Sequence, residues 1–162
     1  MEFLDVVDEN DNVIGKAEKC KVYSDALLHR IVHIFIFNKE GKLALQLQGK
    51  NKKFCPLHWV TSAAGHAQAG ETWKEAALRE LKEEIGITAE LKEIGKDKYH
   101  YANTKIKKII GSFNAVYNGE FNINKHEVEK VEFFTLDEIK DMINNGEKFH
   151  PELLFLLKKH FF

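Results

Sequence analysis

Cysteine, proline and methionine are scarce in this chain, with two of each in 162 residues. Cys20 and Cys55 lie far apart and neither belongs to a CxxC pair, so the sequence suggests no disulfide framework and no structural zinc site. Strong net charge is also lacking. Lysines and arginines almost balance the acids, and a formal charge of −1 gives no general attraction to nucleic acid or to an anionic membrane. No apolar run approaches the roughly 20 residues of a membrane span. The opening stretch Met1–Val7 carries Glu2 and Asp5, so no signal peptide is expected there, and the default expectation is a cytoplasmic protein. Internal repeats, linkers and low-complexity segments are absent as well. What remains is 44% hydrophobic and 30% charged, the balance of one ordinary globular domain spanning residues 1–162.

The pattern of apolar residues divides that domain. Phe3–Val7 and Val13–Ala17 flank a polar turn and predict an N-terminal hairpin, with 19–28 as a connection. His29–Asn38 is β-branched and aromatic, and Lys42–Gln48 alternates cleanly, so the two predict partner strands. His33, inside the first of them, reads as a structural histidine rather than a ligand. Gly49–Leu57 is a basic loop. Its Lys50, Lys52 and Lys53 are either mobile point charges for a substrate's phosphates or plain surface lysines. Trp59–Ser62 predicts a short strand, and Trp59 belongs either to the core or to the border of a pocket. Glu90–Tyr101 and Ile106–Tyr117 predict two long strands, with Tyr99, His100 and Tyr101 placed either to contact a ring or simply to pack. Val131–Phe134 predicts a last strand. Thr135 with Glu138 forms a capping box for a helix reaching Asn145, and Pro151 opens a final helix whose Leu153, Leu154, Leu157 and Phe161 make an apolar stripe. That stripe suits core packing, with a homodimer interface as the alternative.

The chemistry is concentrated in Gly65–Ile87, GHAQAGETWKEAALRELKEEIGI. Thr72 and Glu75 form a capping box, and Gly86 suits the left-handed position beyond a helix end. Between them Glu80, Glu83 and Glu84 fall at i, i+3, i+4 on one helical face, while Ala77, Leu78, Leu81 and Ile85 occupy another arc. Like charges at i,i+4 cost roughly 0.2–0.5 kcal/mol per pair, and Arg79 offsets only part of that. A hard divalent cation, which binds through a few carboxylates and substrate phosphates, is the natural counter-charge.

The same segment resembles the Nudix box: glycine, five residues, glutamate, seven residues, then Arg-Glu-aliphatic-any-Glu-Glu-any-Gly-aliphatic, with every fixed position filled. The resemblance implies the Nudix fold, an α/β/α sandwich with a mixed sheet, and Mg²⁺ or Mn²⁺ as cofactor. It implies Gly65, Glu80, Glu83 and Glu84 as metal ligands, with Glu71 supporting them directly or through Arg79, and a small-molecule substrate in which a nucleoside diphosphate is linked to a group X. Such families often complete the site with a further acid, for which Glu127 is the candidate and Glu129 stands behind it. The implied catalytic set is Arg79, Glu80, Glu83 and Glu127. Lys50, Lys52, Lys53 and His66 are substrate-binding candidates, and no nucleic-acid or membrane partner is implied.

The flanks LLHRIVHIFIFNKEGKLALQLQ and FCPLHWVTSAAGH are similar to the isopentenyl-diphosphate isomerase-like branch of that superfamily. Members that isomerise carry a catalytic cysteine where this chain has Ala64. A histidine of their metal site is replaced by Val22, and a Glu-x-Glu pair by the apolar Ile109-Ile110 run. His66 survives. The hydrolase box is intact, so the expected activity is metal-dependent cleavage of the diphosphate linkage. Isopentenyl-diphosphate isomerisation and a non-catalytic nucleotide-binding module are the alternatives.

Overall fold

The alternating apolar segments assemble into a nine-stranded mixed sheet with helices on both faces, in a computed structural model that describes residues 1–162. In chain order the elements are β1 (Phe3–Val7), β2 (Val13–Glu18), α1 (Lys19–Ser24), β3 (His29–Phe37), β4 (Leu43–Gln48), β5 (Trp59–Val60), β6 (Ala63–His66), α2 (Trp73–Ile85), β7 (Lys92–His100), β8 (Lys107–Val116), β9 (Val128–Phe134), α3 (Leu136–Asn144) and α4 (Pro151–His160). The expected α/β/α sandwich is the fold that forms.

Strand β3 organises the sheet. It runs parallel to β8 from His29↔Lys108 to Phe37↔Val116 and antiparallel to β6 from Ile31↔His66 to Ile34↔Ala63. A strand covered on both faces needs apolar residues at almost every position, which is why HRIVHIFIF lacks the clean alternation of β4. Its even-numbered residues Val32, Ile34 and Ile36 join Ala77, Leu81 and Ile85 of α2 in one core. Odd-numbered Ile31 and Phe35 join Ile110 and the α4 leucines Leu153, Leu156 and Leu157 in the other. All three leucines are fully buried, and of the stripe expected from the sequence Leu153 and Leu157 lie in this core while Leu154 and Phe161 pack half-buried at its edge. No helix is long and apolar enough to cross a membrane.

Two expectations need correction. The connection over 19–28 contains α1, whose single apolar anchor Val22 is buried and too isolated to show a helical period. The strand expected over Trp59–Ser62 is split, because the chain changes partners within it. Val60 pairs with Gln46 of β4, whereas Ala63 pairs with Ile34 of β3. At the crossing, Ser62 Oγ donates to Ala44 O at 2.6 Å and accepts the Ile36 N–H at 2.8 Å. Trp59 is a core residue, buried against Phe134 with its indole N–H on Glu147.

Both capping boxes form as expected, Thr72 with Glu75 and Thr135 with Glu138. Gly86 ends α2 in the left-handed region at φ 69°, and a Cβ there would lie 2.5 Å from the Asn122 carbonyl oxygen. A side chain at this residue therefore meets both backbone strain and a clash. Gly86→Ala should cost at least about 1–2 kcal/mol, read as a lower urea midpoint with unchanged slope. A midpoint equal to wild type would contradict the cap.

Candidate active site

Antiparallel pairing of β6 with β3 carries the Gly65 backbone against the middle of α2. The approach is close: a Cβ on Gly65 would sit 2.2 Å from the Glu80 carboxyl. A side chain at this position would push the Glu80 carboxyl out of its place beside the Gly65 backbone. Arg79 ties the two pieces together. Its Nε and Nη2 donate to the two Glu71 oxygens at 2.6 and 3.0 Å, and Nη2 also donates to His66 O at 2.9 Å. Its Nη1 donates to Glu80 Oε1 at 2.7 Å and to Glu83 Oε2 at 3.2 Å. Arg79 thus aligns the loop and the helix while neutralising part of the acidic face.

The glutamates are not equivalent, contrary to a simple exposed stripe. Glu80 and Glu84 are 9% and 6% exposed, whereas the Glu83 side chain is half exposed. Glu84 Oε1 accepts the Ala64 N–H at 2.9 Å and a longer contact from Gln46 Nε2 at 3.5 Å. Burial, only partly offset by Arg79, pushes Glu80 up to about 7. Burial and the neighbouring Glu80 charge push Glu84 up to about 8. Two buried carboxylates that lack sufficient positive charge are the donor chemistry a hard cation satisfies, so these residues fit the metal. As they stand, Arg79 holds Glu80 and Glu83, the Ala64 N–H holds Glu84, and no three acids are gathered into one ligand set.

The glutamates open into a cavity of about 1240 Å³. Of the residues singled out from the sequence, Gly65, His66, Arg79, Glu80, Glu83, Glu84 and Glu127 line it, together with Lys52 and Lys53. Lys50, Glu129, Tyr99 and His100 do not, although Tyr101 does. Glu127 reaches the cavity because its carbonyl accepts the Gly49 N–H at 2.8 Å, which docks its loop against the basic loop, and Lys52 lies 3.9 Å from its carboxylate. His66 hydrogen-bonds to the Tyr23 hydroxyl, and burial keeps its ring neutral, well below the ordinary histidine range.

A second polar cluster lines the same cavity, and its Glu152 and Lys108 escaped the sequence reading. Glu152 of α4 accepts from Tyr101 Oη at 2.7 Å and Lys108 Nζ at 3.0 Å on Oε1, and from His33 Nε2 at 3.0 Å on Oε2. Burial opposes its charge, but the His33 hydrogen bond and the Lys108 charge hold it well below the usual carboxylate range. His33 is structural in the sense expected, buried and partnered on both ring nitrogens. Lys108 carried one faint signal, a charge two residues before Ile110 on the same face of β8.

His150 caps α4 through Nδ1, which accepts the Glu152 N–H at 3.1 Å and so must be unprotonated. Burial lowers it to about 4, and lowers His29 likewise. A histidine that binds its proton more weakly folded than unfolded withdraws stability as pH falls from about 6.5 towards 4, by about 2 kcal/mol per group at pH 5. His150→Asn keeps a capping acceptor without the titration. Between pH 7 and 5 it should lose about 2 kcal/mol less unfolding free energy than wild type, and an equal loss would contradict the assignment.

With this geometry in place, a NUDIX domain family model matches residues 27–157. An isopentenyl-diphosphate Delta-isomerase 2 of Photorhabdus laumondii is 34% identical over 149 residues, which cover 90% of this chain and 84% of that protein. An uncharacterized Nudix hydrolase of Nostoc sp. is 31% identical over 163 residues, 98% of this chain and 95% of its own. Among solved structures, DR0079 from Deinococcus radiodurans superposes with a TM-score of 0.84 at 22% identity, covering 99% and 100% of the two chains.

Proposed function

The chain belongs to the Nudix family, and from that premise we propose that it is a divalent-metal-dependent hydrolase of nucleoside diphosphate derivatives. Water attacks phosphorus, the diphosphate bridge breaks, and a nucleoside monophosphate and the phosphate of X leave. The observation that carries this reading is the pair of buried, under-neutralised carboxylates Glu80 and Glu84 sharing one cavity with Lys52 and Lys53. Glu80, Glu83, Glu84 and the Gly65 carbonyl would hold Mg²⁺ or Mn²⁺. Bound there, such ions neutralise charge on the diphosphate and acidify the attacking water. Lys52 and Lys53 meet the phosphate oxygens as mobile charges. Arg79 keeps Glu80 and Glu83 oriented and braces them on Glu71. Glu127, whose carboxylate engages neither Arg79 nor a backbone amide and meets Lys52 at 3.9 Å, is the acid assigned to take the proton from water. Activity on a panel of nucleoside diphosphate derivatives should vanish in excess EDTA and return with Mg²⁺. Full activity in chelator would exclude the mechanism.

The isomerase-named relative favours a second reading, isomerisation of isopentenyl diphosphate. That reaction needs a positioned acid and base across an allylic fragment, and the Ala64 methyl, at the position of the isomerases' cysteine, exchanges no proton. Incubation with isopentenyl diphosphate and Mg²⁺ in D₂O should leave the carbon skeleton unlabelled. Enzyme-dependent deuterium in an allylic product would favour this second reading.

A further inference from the structure

The end of the cavity lined by Lys108 and Glu152 is polar where the fold does not require it. On the α4 side of the sheet, Ile31 and Ile110 are register partners packed in the core, yet the preceding pair on the same face is His29 and Lys108. Replacing a buried ion pair such as Lys108–Glu152 by well-packed apolar residues is often neutral or stabilising, so stability alone does not account for it. Both residues line open space. Glu152 is committed to three donors, so its charge serves to fix Lys108 and Tyr101. Lys108 donates to Glu152 and also engages the Tyr23 hydroxyl, and its ammonium lies 5.0 and 5.4 Å from the centres of the Tyr101 and Tyr23 rings, which leaves one of its three protons for a ligand. Together Lys108 and Glu152 sum to zero charge, in contrast to the acidic end with its basic loop.

The wall beside them is aromatic. Phe54 stands edge-on to Tyr101 and His150, with centroids 5.6 and 5.3 Å away, and it remains 55% exposed while lining the cavity. Its backbone is pinned, because Gln48 Nε2 donates to Phe54 O at 2.8 Å and to Cys55 O at 2.7 Å. The consecutive residues Lys52, Lys53 and Phe54 all line the same space. One short loop therefore presents two cations and then an aromatic ring.

We propose that this end is a ring-binding subsite, in which an uncharged nucleobase stacks on Phe54 and takes a hydrogen bond from Lys108 while Lys52 and Lys53 meet the diphosphate. This rests on the reading of the cavity as a nucleoside diphosphate site and specifies which of its walls recognises the base. The floor selects against a charged end group, because Glu152 already balances Lys108 and an added phosphate would meet its carboxylate.

Binding separates this subsite from catalysis. Titrations in Mg²⁺ compare non-hydrolysable α,β-methylene analogues of nucleoside diphosphates with methylenediphosphonate, which keeps the two phosphorus groups and lacks the ring. Wild type should bind at least one nucleotide analogue about tenfold or more tightly than methylenediphosphonate. Phe54→Ala should remove that advantage by weakening the nucleotide about tenfold, leaving methylenediphosphonate unchanged, and Phe54→Trp should retain it. Phe54 is half exposed, so neither variant threatens the fold. Equal affinity of wild type for ringed and ringless ligands would overturn the subsite, as would a Phe54→Ala variant that keeps the nucleotide advantage or weakens both ligands alike. A ring-dependent affinity lost in Phe54→Ala, without any hydrolysis of the corresponding diphosphates, would uphold the subsite and refute the hydrolase.

Discussion

Glu84→Gln should reduce turnover by about 10²- to 10⁴-fold without loosening the protein. The substitution keeps the oxygen that accepts the Ala64 N–H and removes only the capacity to carry a negative charge. That charge is costly in the metal-free protein, since Glu84 is buried beside Glu80 with no guanidinium or ammonium in hydrogen-bond contact. In chelator, the variant should therefore unfold at the same urea concentration as wild type or a higher one. The pair of outcomes is diagnostic, because a residue kept only for structure would show the reverse: activity retained, stability lost. Glu83→Gln should lower turnover comparably, with still less effect on the fold, because its side chain is half exposed.

The largest expected stability effect lies away from the glutamate helix. Glu152→Gln leaves the Lys108 ammonium buried without its counter-charge, and removing one partner of a buried pair costs about 3–5 kcal/mol. Tyr101 and His33 also lose a charged acceptor. For a domain of this size such a loss is a large fraction of the total. Urea unfolding at pH 7 reads it directly. Pairing Lys108→Met with Glu152→Gln should recover most of the loss, since it removes both charges together and keeps an amide oxygen to accept from Tyr101 and His33. A Glu152→Gln midpoint within error of wild type would show that the pair is hydrated rather than buried.

The glutamate helix was legible because its signals are local. Thr72, Glu75 and Gly86 act within one turn of the helix ends, and the spacing of Glu80, Glu83 and Glu84 is fixed by the helix repeat. Which acids are buried was not legible. That depends on β6 crossing to β3 and laying Gly65 over Glu80, a pairing between segments about 30 residues apart. Glu152 was hidden for the same reason. It stands 44 residues from Lys108 and 119 from His33, and α4 shows only its leucines as a periodic pattern. Val22 marks the opposite failure, where one buried residue in a six-residue helix leaves no period to detect. Phe54 looked like part of a basic loop, because nothing in the chain order brings Tyr101 and His150 beside it.

The central claim, water attack at a diphosphate bridge, is tested most directly by running the reaction with Mg²⁺ in H₂¹⁸O and following phosphorus by ³¹P NMR. Hydrolysis of a nucleoside diphosphate derivative by this protein should place one ¹⁸O on one of the two phosphate products per bond broken, at a rate proportional to enzyme and lost in Glu84→Gln. Phosphate products without solvent oxygen, or labelling that persists undiminished in Glu84→Gln, would contradict it.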